Sequence, residues 1–237
     1  MTDNAFGDIE SDTPLMPKHV GRAVRPRDAA TLILIRRDGP KLRVLMGRRH
    51  RGHSFMPDKW VFPGGRIDPG DFRAPAATDL RPTVAARLEK TTTTSRARAL
   101  AMAAIRETFE EVGLLLARPG TAARAVGPWR DFLAQGAIPD LEAMDFVARA
   151  ITPSNSPKRF DARFFLAEAE HLLSLEPQAD CGELDEIAWV TLEEALALDL
   201  PSVTRFVLHE VPRRLADPGR PVPSLQFRYQ KQVVEHL

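Results

Sequence analysis

The chain has 237 residues, 43% of them apolar and 27% charged, with a net charge of +1. That composition is enough for a sizeable core and excludes a fibre, a disulfide scaffold and a largely disordered chain. No apolar run approaches the 18 or more residues of a membrane span, and the start, MTDNAFGDIESD, lacks the basic and apolar parts of a secretory signal. The single cysteine, Cys181, cannot form an internal disulfide, so the expectation is a soluble protein of a reducing, cytoplasmic compartment.

In chain order, residues 1–28 read as an N-terminal arm. Ala30–Ile35 and Leu42–Met46 are short apolar runs on either side of the turn signal Asp38-Gly39-Pro40, which predicts a β-hairpin. Trp60–Phe62 is a third strand, closed by Pro63-Gly64-Gly65. Pro82–Lys90 is a short helix, and the threonine run Thr91–Thr94 is loop. Arg96–Val112 is the clearest helix, with Gly113 in place as its C-terminal cap. Residues 128–150 read as one or two helices, Arg159–Ala167 and Ile187–Val190 as strands, Leu192–Leu198 and Val203–Leu215 as helices. The expected organisation is one mixed α/β domain over 29–216, with a C-terminal tail over 217–237.

The charges are unevenly spread. Between Pro17 and Arg51 there are eleven basic side chains against Asp28 and Asp38, whereas Ala179–Asp199 holds seven acids and no Lys or Arg. Either these are ordinary solvated surfaces or they are two walls around a site for a polyanion and a metal. Within the main helix, Glu107, Glu110 and Glu111 stand at i, i+3 and i+4 and share one face. Three neighbouring carboxylates repel one another unless something positive lies over them, and hard Mg²⁺ or Mn²⁺ takes oxygen ligands of that kind. Arg106 stands four residues before Glu110 and can pair with it, leaving the other two carboxylates free.

The segment Gly65–Leu114 resembles the Nudix box, in which a glycine, five residues and a glutamate are followed, after seven more, by Arg-Glu-U-x-Glu-Glu-x-Gly-U with U apolar. Here Arg106, Glu107, Glu110, Glu111, Gly113 and Leu114 match its second half, and Gly65 followed by Asp71 its first. Asp71 replaces the usual Glu, Thr108 replaces an apolar residue, and 34 residues separate Asp71 from Arg106 where the box has seven, an insertion of 27 placed at about 72–98. Because loop-closure entropy rises slowly with length, the two halves can still meet. An inserted box of this kind, with Phe62–Asp68, Ala104–Glu111 and Arg159–Phe165, is similar to a branch related to the peroxisomal coenzyme A diphosphatases.

The resemblance implies a Nudix α/β/α sandwich with a mixed sheet and a catalytic loop-helix-loop. It also implies metal-dependent hydrolysis of a nucleoside diphosphate linked to another moiety, coenzyme A or acyl-coenzyme A first, with ADP-ribose, dinucleotides and nucleoside triphosphates behind. Glu110 or Glu107 is then the general base, with Arg106 beside them. Glu107, Glu110, Glu111, the Gly65 carbonyl and a carboxylate outside the box, Glu186 or Glu183, hold the metal. Arg48, Arg49 and Arg51 grip the phosphates or merely keep a strand edge soluble. Arg159 and Arg163 either do likewise or snorkel beside the core, Trp60 and Trp189 are core, and His50 and His53 are loop residues. A nucleotide-sensing Nudix domain without turnover is the competing reading. Nucleic-acid binding is disfavoured for want of aromatic interleaving, and a homodimer is left open.

Overall fold

The computed structural model describes residues 24–37, 39–52, 56–122, 127–154, 156–177, 183–228 and 231–237. Residues 1–23 of the expected arm, Asp38 of the turn, His53 and Cys181 lie outside them.

The apolar run at Ala30–Ile35 forms the middle of strand β1 (Arg27–Arg36), which takes in the last two residues assigned to the arm. It is buried on both faces. Ala30, Leu32 and Leu34 enter one core cluster and Ile33 and Ile35 the other, as the alternation of a strand requires. β2 (Arg43–Arg49) returns antiparallel to it, and β3 (Trp60–Val61) and β4 (Gly64–Arg66) follow. Next come a 3₁₀ turn at Pro69–Phe72, α1 (Pro82–Glu89) and α2 (Thr94–Val112). The Thr93 hydroxyl caps α2 by accepting from the Arg96 N–H, and Gly113, at φ 71°, ends it in the left-handed conformation that glycine adopts without a Cβ penalty.

The remaining elements are β5 (Ala117–Pro119), α3 (Trp129–Ala134), β6 (Ala137–Pro139), β7 (Asp145–Ile151), β8 (Phe160–Glu168), β9 (Leu184–Thr191), α4 (Leu192–Ala197), α5 (Ser202–Ala216), β10 (Pro223–Arg228) and β11 (Lys231–His236). Among the described residues the main sheet runs β11-β10-β7-β8-β1-β2-β3, with β4 also on β1 and β9 also on β2. β8 lies parallel to β1 in the centre, and most other neighbours are antiparallel. Residues of α1, α2 and α3 share the core cluster on one face of the sheet, and residues of α4 and α5 the cluster on the other. The mixed α/β sandwich is as expected. No helix among the described residues is long and apolar enough to cross a membrane.

Two expectations are corrected. Residues 128–150 hold only the six-residue α3 and then two strands, because Gly136, at φ 69°, ends the helical course just past Ala134 and the apolar Phe146-Val147-Ala148 run is buried on both sides. The segment 217–237 is no tail. Its β10–β11 hairpin extends the sheet by pairing with β7, and Val222 and Leu225 enter the core.

The insertion is also built into the body of the fold. α1 buries Val84 and Leu88, Ala77 N–H donates to the Pro139 carbonyl, and Thr78 hydrogen-bonds Asp140. The rest of the added length extends α2 backwards from the box.

The position of Leu225, 2% exposed, separates the tail reading from the folded hairpin. Leu225→Ala is expected to lower unfolding stability by about 2–4 kcal/mol in urea titrations, whereas a residue of a solvated tail would shift it by no more than about 0.5 kcal/mol.

Candidate active site

The diglycine bend is held between β1 and α2. In β4, Gly64 and Gly65 pair antiparallel with Thr31 and Ala30. A Cβ on Gly64 would lie 2.5 Å from the Ala30 carbonyl oxygen, and one on Gly65 would lie 2.4 Å from the Glu107 carboxyl carbon. Only glycine lets the strand pass this close to both neighbours. The Gly64 N–H donates to Glu111 at 3.2 Å, so the bend and the helix carboxylates are in direct contact.

After the bend, Asp68 caps the 3₁₀ turn by accepting from the Gly70 N–H, while its own N–H donates to Asp71 at 2.7 Å. This local capping box swings the short Asp71 side chain inward until it is fully buried. Asp71 receives two bonds from Arg106, from Nε at 2.9 Å and Nη2 at 3.1 Å, and a third at 2.9 Å from the Trp129 indole N–H. Asp therefore serves where the box usually has Glu because the turn brings it close and Trp129 fills the remaining space. Thr108 is accommodated inside the core because its hydroxyl donates back to the Ala104 carbonyl at 2.8 Å.

Arg106, 4% exposed, uses all five of its N–H donors. Besides the two bonds to Asp71, Nη1 donates to Glu107 and to Glu110, each at 2.9 Å, and Nη2 donates to the Arg66 carbonyl at 2.8 Å. Burial works against the guanidinium charge, but the bond to Asp71 and the charges of Glu107, Asp71 and Glu110 outweigh it, so Arg106 holds its proton more tightly than usual. The expectation that Arg106 ties down Glu110 alone is corrected, since it clamps Glu107 as well. With every donor committed, it is a positioning residue.

Burial pushes the carboxyl groups of Glu107 and Glu110 upward despite Arg106. Glu111, 3% exposed, is pushed well above the usual carboxylate range by burial, with Glu107 and Glu183 adding to the rise and Arg49 and the Gly64 N–H opposing it. Among the described residues its carboxylate has that one backbone N–H as its hydrogen-bond donor. Glu183 is near enough for its charge to reach the helix carboxylates, and its carbonyl accepts from the His50 N–H. Glu186 lies opposite Arg48 in the β2–β9 register and pairs with it at 3.3 Å.

The phosphate-gripping trio divides. Arg48 is occupied by Asp185 and Glu186 on the neighbouring strand. Arg51 pairs with Asp58 and is 85% exposed. Arg49 remains at the site, through its charge on Glu111. Lys41 pairs with Glu193, so with Arg48 two members of the basic stretch are paired with members of the acidic one. Arg163, 1% exposed, is buried in ion pairs with Asp28 and Asp161 and does not snorkel. Arg159 donates to the Thr152 and Val24 carbonyls. His50 accepts from the Gly52 N–H within its loop, while Trp60 and Trp189 pack against the core.

Among the described residues, no three His, Cys, Asp or Glu side chains stand together in a ready-formed metal cluster. Arg106 holds one oxygen each of Glu107 and Glu110. The donor set nonetheless fits a hard divalent cation. Glu107 and Glu110 each have a second oxygen outside the clamp, and Glu111 carries a buried carboxylate against Glu107 and Glu183 with a single N–H on it.

The two glycines are expected to differ on substitution. Gly64→Ala meets backbone and should cost about 2–3 kcal/mol, whereas Gly65→Ala meets the far end of the Glu107 side chain and should cost about 1–2 kcal/mol while displacing that carboxylate from Arg106. Asp71→Ala strands a buried guanidinium and should cost about 3–5 kcal/mol. Denaturant titration of the three variants measures all of these.

No family model matches the chain. Over 184 residues, 72% of its length, it is 29% identical to the Caenorhabditis elegans protein named "Putative nudix hydrolase 7", and it spans about half, 53%, of that relative. The crystal structure of a NUDIX hydrolase from Alicyclobacillus acidocaldarius superposes with a TM-score of 0.60 at 28% identity, over 81% of this chain and 96% of that one. The fold, the joined halves of the box and these two likenesses make the chain similar to Nudix hydrolases.

Proposed function

We propose that this protein is a divalent-metal-dependent pyrophosphohydrolase that cleaves a phosphoanhydride in a nucleoside diphosphate linked to another moiety. The observation that carries the reading is Glu111, a buried carboxylate near the charges of Glu107 and Glu183 whose one hydrogen-bond donor among the described residues is the Gly64 N–H. A negative charge so placed is costly on its own and is relieved by a cation. Glu107, Glu110 and Glu111, with Glu183 and the Gly65 carbonyl, would hold Mg²⁺ or Mn²⁺. When bound, such an ion neutralises phosphoryl oxygens and acidifies water.

The chain's own residues supply the rest. Arg106 fixes one oxygen of Glu107 and one of Glu110, so the second oxygen of each is presented from a rigid helix face. A carboxylate whose proton affinity is raised by burial is a better base near neutral pH than a free one. Glu107, which also lines the adjoining cleft, is therefore the group assigned to accept the proton of the attacking water, with Glu110 beside it. Coenzyme A or its acyl esters are the first proposed substrates, ahead of ADP-ribose, dinucleotides and nucleoside triphosphates. The support is the likeness of Phe62–Asp68 and Ala104–Glu111 to the coenzyme A-directed branch.

Glu111→Gln keeps the size of the side chain and its contact with Gly64 but removes the charge. In a Mg²⁺ or Mn²⁺ assay against those substrates, it is expected to lose at least about a hundredfold in turnover while melting at or above the wild-type temperature. Near-wild-type hydrolysis by that variant would overturn the assignment. Nucleotide binding without hydrolysis by the wild type would point to the sensing domain.

A further inference from the structure

A cavity of about 930 Å³ opens beside Arg106 and Glu107, between the N-terminal end of β1, the box loop and the start of α2. Its walls carry both signs of charge, six arginines against four acids. Asp28 pairs with Arg96 and Arg163, Asp161 with Arg149 and Arg163, and one oxygen of Glu107 with Arg106, while Asp68 accepts from the Gly70 N–H. The side chains of Arg25, Arg27 and Arg66, all exposed, have no hydrogen-bond or ion-pair partner among the described residues. The lining therefore keeps an excess of guanidinium charge, carried by these three side chains.

Two further features favour an anion in this cavity. Thr91, Thr92 and Thr93 line it at the N-terminus of the 19-residue α2, whose first turn contains no acid. The unsatisfied N–H groups and the positive end of the helix dipole lie there without an internal counter-charge. Arg163, almost wholly buried in the cavity wall, leaves its Nε without a hydrogen-bond acceptor. Unsatisfied buried donors are rare and costly, and an acceptor brought by a ligand would relieve this one.

We propose that this cavity is a second anion subsite, distinct from the metal-holding carboxylates, that takes a phosphate monoester carried by the substrate apart from the scissile anhydride. Arg27 and Arg66 grip the group by charge-assisted hydrogen bonds, with the threonine hydroxyls and the α2 N-terminus beside them. The subsite is built by the insertion, because Thr91–Arg96 belong to it. Resting on the hydrolase reading above, this selects nucleoside diphosphate derivatives that bear a third phosphate over those that do not.

Calorimetry on the full chain without divalent metal tests the subsite directly, with adenosine 3′,5′-bisphosphate and adenosine 5′-monophosphate as probes. Wild type is expected to bind the bisphosphate at least tenfold more tightly, and Arg27→Ala/Arg66→Ala to lose that preference. Equal binding of the two probes by wild type, or a preference that survives in the double variant, overturns the proposal. Hydrolysis of coenzyme A and of its dephospho form, with Mg²⁺, reads the activity separately. Cleavage of both with equal kcat/KM would leave the hydrolase reading standing and sink the subsite. A bisphosphate preference without any cleavage would do the reverse.

Discussion

A single buried guanidinium, that of Arg106, determines where every other group of the site can be. It joins the loop at Arg66, the 3₁₀ turn at Asp71 and two carboxylates of α2 through five hydrogen bonds. Taking that charge out of water is expensive, and the arrangement is stable only because all five donors are answered. The constraint then propagates. Asp71 must be buried, so the turn has to supply the Asp68 N–H and Trp129 its indole N–H. The Arg66 carbonyl must reach the helix, so the preceding strand passes so close to β1 and α2 that residues 64 and 65 must lack side chains.

The same constraint explains how the box survives its insertion. Asp71 and Arg106 are bonded in the fold, so the two ends of the added segment are fixed a few ångströms apart whatever lies between. What lies between is not a floppy excursion. α1 packs Val84 and Leu88 into the core, Arg98 donates to the Ala74 carbonyl, and Arg87 reaches both Asp145 and the Pro218 carbonyl. The insertion thereby acquires its own burial and becomes a wall of the cavity next to the carboxylates.

How much of this was legible in the sequence depends on how local the deciding interaction is. The helix over Arg96–Val112 and the strand at Ala30–Ile35 are set by composition, caps and alternation within a few residues, and both are found with only their ends moved. The identity of the box residues is a matter of spacing, and it survived an interruption of 27 residues because those residue types have a chemical reason to meet. What failed was non-local. Strand β7 looks helical until Gly136 and the facing β8 are considered, and the hairpin at 223–236 has too much Gln, Lys and Arg to advertise itself as sheet until β7 offers an edge. Glu186 sits in an acidic run that does not reveal its neighbours in space. Only the β2–β9 register shows that Arg48 stands directly opposite it. Trp129 carried no signal beyond its size, since its indole N–H matters through a carboxylate 58 residues away.

That difference in range also separates structural from functional charge in this molecule. Counting basic residues along the first third of the chain identifies a positive region but not which members are free to act. Arg48 is neutralised by the partner strand, Arg163 by two aspartates, and Arg106 by three carboxylates. Guanidinium groups that have found carboxylates fix the framework, and their field is largely cancelled beyond the pair. The field that reaches a ligand comes from those left over, on the β1 end and the box loop, where they face a cavity lined by more arginines than acids. Electrostatic selection at this site is thus decided by the pairing left unmade, which is a property of the fold and cannot be read from the charge total of +1.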